Sequence, residues 1–237
     1  MSELQRLLKT PLLLTISVLL FSLGGMASAQ QSEHFPRPPE LEPAIGFWTR
    51  VYTEVDTESG FLHDANNLAV IYERVEYDRP EIERQRTRIQ DALKVLGSGK
   101  RSGLTSLEQD ILEKWPADVG NATLAEAANN VRFQLGQSDR FVEGLIRSGA
   151  YRDHIDSVVL EKGLPIELGA LPHVESSFHP GAYSSVAAAG MWQFMRATGQ
   201  RFMRIDHIVD ERMDPYTATY AAMSLLEYNY RTLGTWP

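Results

Sequence analysis

Apolar residues recur along most of this chain at spacings of three and four, the period of an amphipathic helix. Phe47, Trp48, Val51 and Tyr52 share one face of a short helix. Gly60 to Tyr77 departs from that period and reads as a β-hairpin. Asp64-Ala65-Asn66-Asn67 forms its turn, and Leu68-Ala69-Val70-Ile71-Tyr72, apolar and partly β-branched, follows as its strand. From Pro80 onward the pattern is helical almost throughout. Asp78 caps a helix over 80–96 that Gly97-Ser98-Gly99 ends, and Thr105 or Ser106 opens another to about Lys114, stopped by Pro116. Further helices are expected at about 123–135, 138–148 and 151–162. No internal repeat is present. One hairpin among many helices makes the chain mainly α.

The second half carries the unusual residues. Leu164, Leu168, Leu171 and Glu175 are spaced so that a helix starting near Pro165 sets Glu175 on its apolar stripe, with Pro172 kinking the helix. Ser176-Ser177-Phe178-His179-Pro180-Gly181 breaks it. Ser184 to Gly190 is small and loop-like, Met191-Trp192-Gln193-Phe194-Met195 starts another helix, and a last helix runs from Asp214-Pro215 to about Thr232.

The N-terminus follows a different logic. Arg6 and Lys9 precede an apolar run from Pro11 to Leu23, and Ala27-Ser28-Ala29 supplies a signal-peptidase pattern, so residues 1–29 read as a signal peptide. At 13 residues the run is short of the roughly 20 that span a bilayer. Residues 30–44, with four prolines, read as a tether, 45–150 as a mainly helical region and 151–237 as a second domain. Zero cysteines exclude disulfides, thiolate metal sites, a catalytic cysteine and a lipid-modified N-terminal cysteine. A net charge of −8 without a basic cluster argues against nucleic acid. Export, acidity and absence of cysteine together point to a bacterial envelope, the periplasm, with peripheral membrane contact left open.

Burial disfavours a carboxylate and raises its pKa, so Glu175 on the apolar stripe can act as a general acid and then a base; turned to solvent at a helix end it does nothing. His173 and His179 lack metalloprotease spacing, and no metal or cofactor is expected. Phe178, Tyr183, Trp192 and Phe194 suit either sugar stacking or a core. The methionines at 191, 195, 203, 213 and 223 read as packing residues. Asp206, Asp210, Glu211 and Asp214 read as a solvated, helix-capping set, and are the nearby source of any second catalytic carboxylate.

Leu171-Pro172-His173-Val174-Glu175-Ser176-Ser177-Phe178 followed by Ala188-Ala189-Gly190-Met191-Trp192-Gln193-Phe194 resembles the lytic transglycosylases of bacterial cell walls, in particular their membrane-bound murein subgroup. Gly46 to Val55 and Arg132 to Gly149 resemble that subgroup too. The resemblance implies a goose-lysozyme-like helical catalytic domain over 151–237, with an N-terminal helical extension carrying the hairpin. It implies peptidoglycan glycan strands as substrate, cut without water to leave 1,6-anhydro ends. Glu175 becomes the acid and base, Ser184 its orienting hydroxyl, and Gln193 and Met195 sugar-binding positions. Two features depart from the family pattern. Trp192 stands where many relatives have leucine or methionine. The sequence reaches Gly234-Thr235-Trp236-Pro237 where a family helix bearing Ala-Tyr-Asn-x-Gly should begin, so the domain is expected to be incomplete at its C-terminus. A non-catalytic glycan-binding relative is the competing expectation.

Overall fold

The computed structural model describes residue 32 and residues 34–236; the expected signal peptide lies outside them. The chain opens with a 3-10 turn, Pro39–Leu41, and α1, Glu42–Thr53. Phe47 and Val51 of α1 bury their side chains against Val55 and Phe61, leaving Trp48 on the surface. The hairpin follows as β1, Ser59–Asp64, and β2, Ile71–Glu76, paired antiparallel. Asp64 Oδ1 accepts from the backbone N–H groups of Asn66 and Asn67, both at 2.8 Å, and so shapes the expected turn.

α2, Arg79–Gly97, starts at Asp78, whose carboxylate accepts from Glu81 N–H. α3, Ser106–Leu112, starts in a full capping box between Thr105 and Glu108. α4 spans Asn121–Asn130, and here the expected helix to 135 is corrected. Val131–Leu135 forms β3, which pairs antiparallel with β1 to give a three-stranded sheet in the order β2-β1-β3. The physical signal is the alternation of Val131-Arg132-Phe133, with Val131 buried and Arg132 exposed. β1 is therefore a central strand, and every one of its residues is buried. α2 and α4 cover it to form the first core, from Leu62, Val75, Ile89, Leu93, Leu96, Leu124 and Val131.

α5, Ser138–Ser148, and α6, Arg152–Glu161, lead into the second core. The single helix expected from Pro165 does not form. A 3-10 turn, Ile166–Ala170, is followed by one α turn, α7, Pro172–Glu175. Pro172 sits at the first position of that turn, where its missing N–H costs nothing, so it starts a helix rather than kinking one. The helix expected at Met191 is likewise replaced by a tight loop. Ala189 bridges both Tyr183 and Phe194, and Gln193 takes a left-handed backbone, φ 48°, that a helix does not admit. α8, Arg196–Gly199, a 3-10 turn at Glu211–Met213, and α9, Pro215–Leu233, complete the chain. Asp214 caps α9, and Gly234 ends it at φ 75°. The second core gathers Ile155, Val158 and Val159 of α6, Phe178, Met191, Trp192 and Phe194 of the loops, and Ala218, Ala222 and Met223 of α9. Among the described residues, no helix is long and apolar enough to cross a membrane.

Candidate active site

Glu175 is the last residue of α7, fixed by its backbone N–H to Leu171 O at 3.1 Å. The chain then turns sharply through Ser177 and Phe178, both left-handed at φ 50° and 58°. Such conformations persist only where surroundings enforce them, and here three contacts do. Phe178 is fully buried, Arg147 Nε of α5 donates to Ser177 O at 2.9 Å, and Ser176 Oγ donates to Met191 O at 2.8 Å. The last bond ties the turn after Glu175 to the loop bearing Gln193.

Between them lies a groove of about 250 Å³ lined by Leu171, Glu175, Trp192, Gln193, Phe194, Met195, Thr198, Ala222, Leu225 and Leu226. The lining is mostly apolar. Although Glu175 as a residue is exposed at the groove, burial of its carboxyl pushes the pKa above the ordinary carboxylate range. Among the described residues no side-chain hydrogen bond or ion pair opposes that shift. A larger hollow of about 550 Å³, lined by Tyr72, Arg88, Asp110, Lys114 and neighbours, belongs to the first core and lies apart from these residues. Its lining is charged, with Glu73, Asp110 and Glu113 beside Arg88 and Lys114.

Of the expected site residues, Glu175, Gln193 and Met195 meet in the groove. Gln193 Nε2 donates to Gly190 O at 2.8 Å, which aims the amide, and Met195 is 46% exposed. Ser184 is not in the lining. Its Oγ accepts from Ala188 N–H at 3.0 Å and its N–H donates to Ala188 O at 2.9 Å, so it closes the loop behind Gln193. Of the aromatic set, Phe178, Trp192 and Phe194 are core residues, while Tyr183 is 64% exposed. Met213, expected to pack, is 39% exposed.

The acidic set is consumed in caps and ion pairs. Asp206 accepts from the N–H groups of Ile208 and Val209 and is pulled down to about 2, Asp210 pairs with Arg212, Glu211 accepts from Arg204 N–H, and Asp214 caps α9. None lines the groove. Thr198, Ala222, Leu225 and Leu226 do, from α8 and α9, without any motif to announce them. His173, packed between Phe141 and Phe178, has its pKa lowered by burial.

Residues 161–237 match the family model of the transglycosylase SLT domain. This segment is thus similar to the transglycosylase SLT domain, over about a third of the chain. The SLT domain is lysozyme-like, and the groove-bearing unit of this chain is likewise mainly helical. Over 83 residues, 35% of this chain, it is 35% identical to membrane-bound lytic murein transglycosylase D of Escherichia coli (strain K12), covering 18% of that protein. Over 92 residues it is 36% identical to a protein of Alteromonas sp. (strain M-1) named for tributyltin chloride resistance, covering 44% of it. The matches thus span less than half of these relatives' own lengths.

Proposed function

We propose that the chain is a peptidoglycan lytic transglycosylase of the bacterial envelope, cleaving the β-1,4 bond between N-acetylmuramic acid and N-acetylglucosamine. The observation that carries this is the Glu175 carboxyl, partly desolvated and without a side-chain partner among the described residues, sharing one groove with Gln193 and Met195 in a segment that matches the SLT domain. In the forward step the Glu175 acid gives its proton to the glycosidic oxygen as the bond to muramic C1 breaks. The resulting carboxylate takes the proton of the muramic C6 hydroxyl, whose oxygen bonds to C1. Glu175 ends protonated, no water is consumed, and the product carries a 1,6-anhydro ring.

Ordinary glycosidases place two carboxylates about the bond. Among the described residues the groove offers Glu175 as its lining carboxylate, which suits a route whose nucleophile is the substrate's own hydroxyl. In this reading Gln193 and Met195 hold sugar, and Ser184 acts through the loop it closes. Digestion of purified peptidoglycan followed by mass spectrometry tests it. Muropeptides one water lighter than hydrolysis products are expected. Reducing ends alone would make the protein a hydrolase, and no release at all would leave a glycan-binding domain.

A further inference from the structure

Arg212 is 2% exposed, the largest of the fully buried side chains among the described residues, and it is not in the groove. A buried charge is retained only when its hydrogen-bonding capacity is used. Here that use is directed. Asp210 takes one edge of the guanidinium as a fork, with Nε to Oδ1 at 2.9 Å and Nη2 to Oδ2 at 2.7 Å. Nη1 donates outward to two carbonyls far from it in sequence, Ala187 O and Phe194 O, both at 2.9 Å.

Those carbonyls bracket the loop that forms one wall of the groove. Ala187 is left-handed at φ 67°, and Phe194 lies between Gln193, left-handed at φ 48°, and Met195. The same loop is crowded against the arginine at Gly190, and α8 packs on the arginine at Gly199. A Cβ on Gly190 would collide with the Arg212 carbonyl, and one on Gly199 would stand 3.4 Å from the arginine's Cγ and Cδ. The loop has neutral bonds of its own, Ser184 with Ala188, Gln193 N–H to Gly190 O and Ala189 with Phe194, but among the described residues Arg212 Nη1 is the one donor that holds Ala187 O and Phe194 O together.

We propose that Arg212 is a positioning residue, gathering the Ala187 and Phe194 carbonyls so that Gln193 and Met195 face Glu175 in glycan-binding geometry. The role rests on the transglycosylase reading, but the loop it holds can be tested without it. Lysine cannot replace the arginine, because one ammonium does not span the Asp210 fork and both carbonyls.

Two measurements on the full chain decide it. Amide hydrogen exchange on Asp210→Asn, which keeps the shape but weakens the fork, should quicken at least about tenfold at Ala189 and Phe194. Val158 and Val159 of α6 should not change. Uniform quickening in both places, or none, overturns the proposal. In Arg212→Lys, confirmed folded by its thermal transition, cleavage of peptidoglycan should show KM raised about tenfold or more with a smaller change in kcat. An unchanged KM overturns it. Should wild type neither bind nor cleave glycan, the transglycosylase reading fails, while the exchange result still decides whether Arg212 holds the loop. Should Arg212→Lys not fold, the exchange pattern of Asp210→Asn decides alone.

Discussion

Glu175 differs from Asp206 and Asp210 in having, among the described residues, no side-chain or backbone partner to keep its carboxyl ionised. Asp206 receives two backbone N–H groups, and Asp210 has a guanidinium, and both are drawn below their ordinary range; Glu175 meets apolar Leu171, Leu225 and Leu226 and is pushed above it. The sign follows from linkage. A raised folded-state pKa stabilises the fold fully below the unfolded value, about 4.3 for glutamate, and that stabilisation is lost as pH rises through the folded value. Glu175→Gln, which never ionises, should therefore melt higher than wild type at pH 7, with the difference vanishing near pH 4. Thermal melts across that range check it. The same variant should lose about 10²–10⁴-fold in peptidoglycan turnover, the ordinary contribution of a general acid, and wild-type kcat/KM should fall with rising pH through a value above about 4.3. Trp192 Nε1 donates to Thr219 Oγ1 at 2.9 Å in the buried interior, and Thr219 Oγ1 donates in turn to Pro215 O at 2.7 Å. Thr219→Val keeps the volume but orphans the indole N–H, a cost of about 1–3 kcal/mol. Chemical denaturation should show that loss.

At the scale of elements, α5 is the brace for the turn that follows Glu175. Arg147 holds Ser177 O, and Gly144 lies so close that a Cβ would stand 3.2 Å from Ser177 Cβ and 3.3 Å from its Cα and O. Gly144→Val should force the left-handed Ser177-Phe178 pair outward and carry Glu175 with it. Misplacement of about 1 Å can cost about 10²-fold, so cleavage should drop by that order while α2 and α4 amides keep their exchange protection. α5 itself was legible from sequence over 138–148, as were α2, α3 and α9, because Asp78, Thr105 with Glu108, and Asp214-Pro215 with Gly234 state their boundaries in capping chemistry. β3 was not, because its alternation begins directly after Asn130 with no turn residue to mark the change of period. The segment 191–195 deceived for a related reason. Met191, Trp192 and Phe194 are apolar because they fill the core from a loop, and only the backbone of Gln193 shows that no helix runs there. Glu175, Gln193 and Met195 could be nominated from motif, whereas Thr198, Ala222, Leu225 and Leu226 enter the groove through packing between distant segments. Arg212 carried no signal of its own, lying beside the acidic residues that are its partner and the neighbouring caps.

At the scale of the molecule, the described residues form three hydrophobic clusters, one under the sheet, one where α1 packs on Phe61 of the sheet and one around the groove, and α5 packs on α1 on one side and on α7 on the other. Phe141 is its hinge contact, 5.7 Å from the Tyr52 ring on the α1 side and 5.2 Å from the His173 ring beside Glu175. An interface carried by one helix resembles a contact between domains more than the inside of one, and separate unfolding is then the default. Calorimetry should resolve two transitions. Glu175→Gln at pH 7 should raise only the one belonging to the second core, and Thr219→Val should lower that same one. Phe141→Ala should move the two transitions further apart, because it removes the aromatic link by which the firmer core supports the other. Phe141 is only partly buried, so its loss should fall below the roughly 3–5 kcal/mol of a fully buried phenylalanine. A single transition that shifts as a whole in all three variants would mean that α5 couples the cores into one cooperative unit. Substitutions in the first core would then reach Glu175 through stability alone.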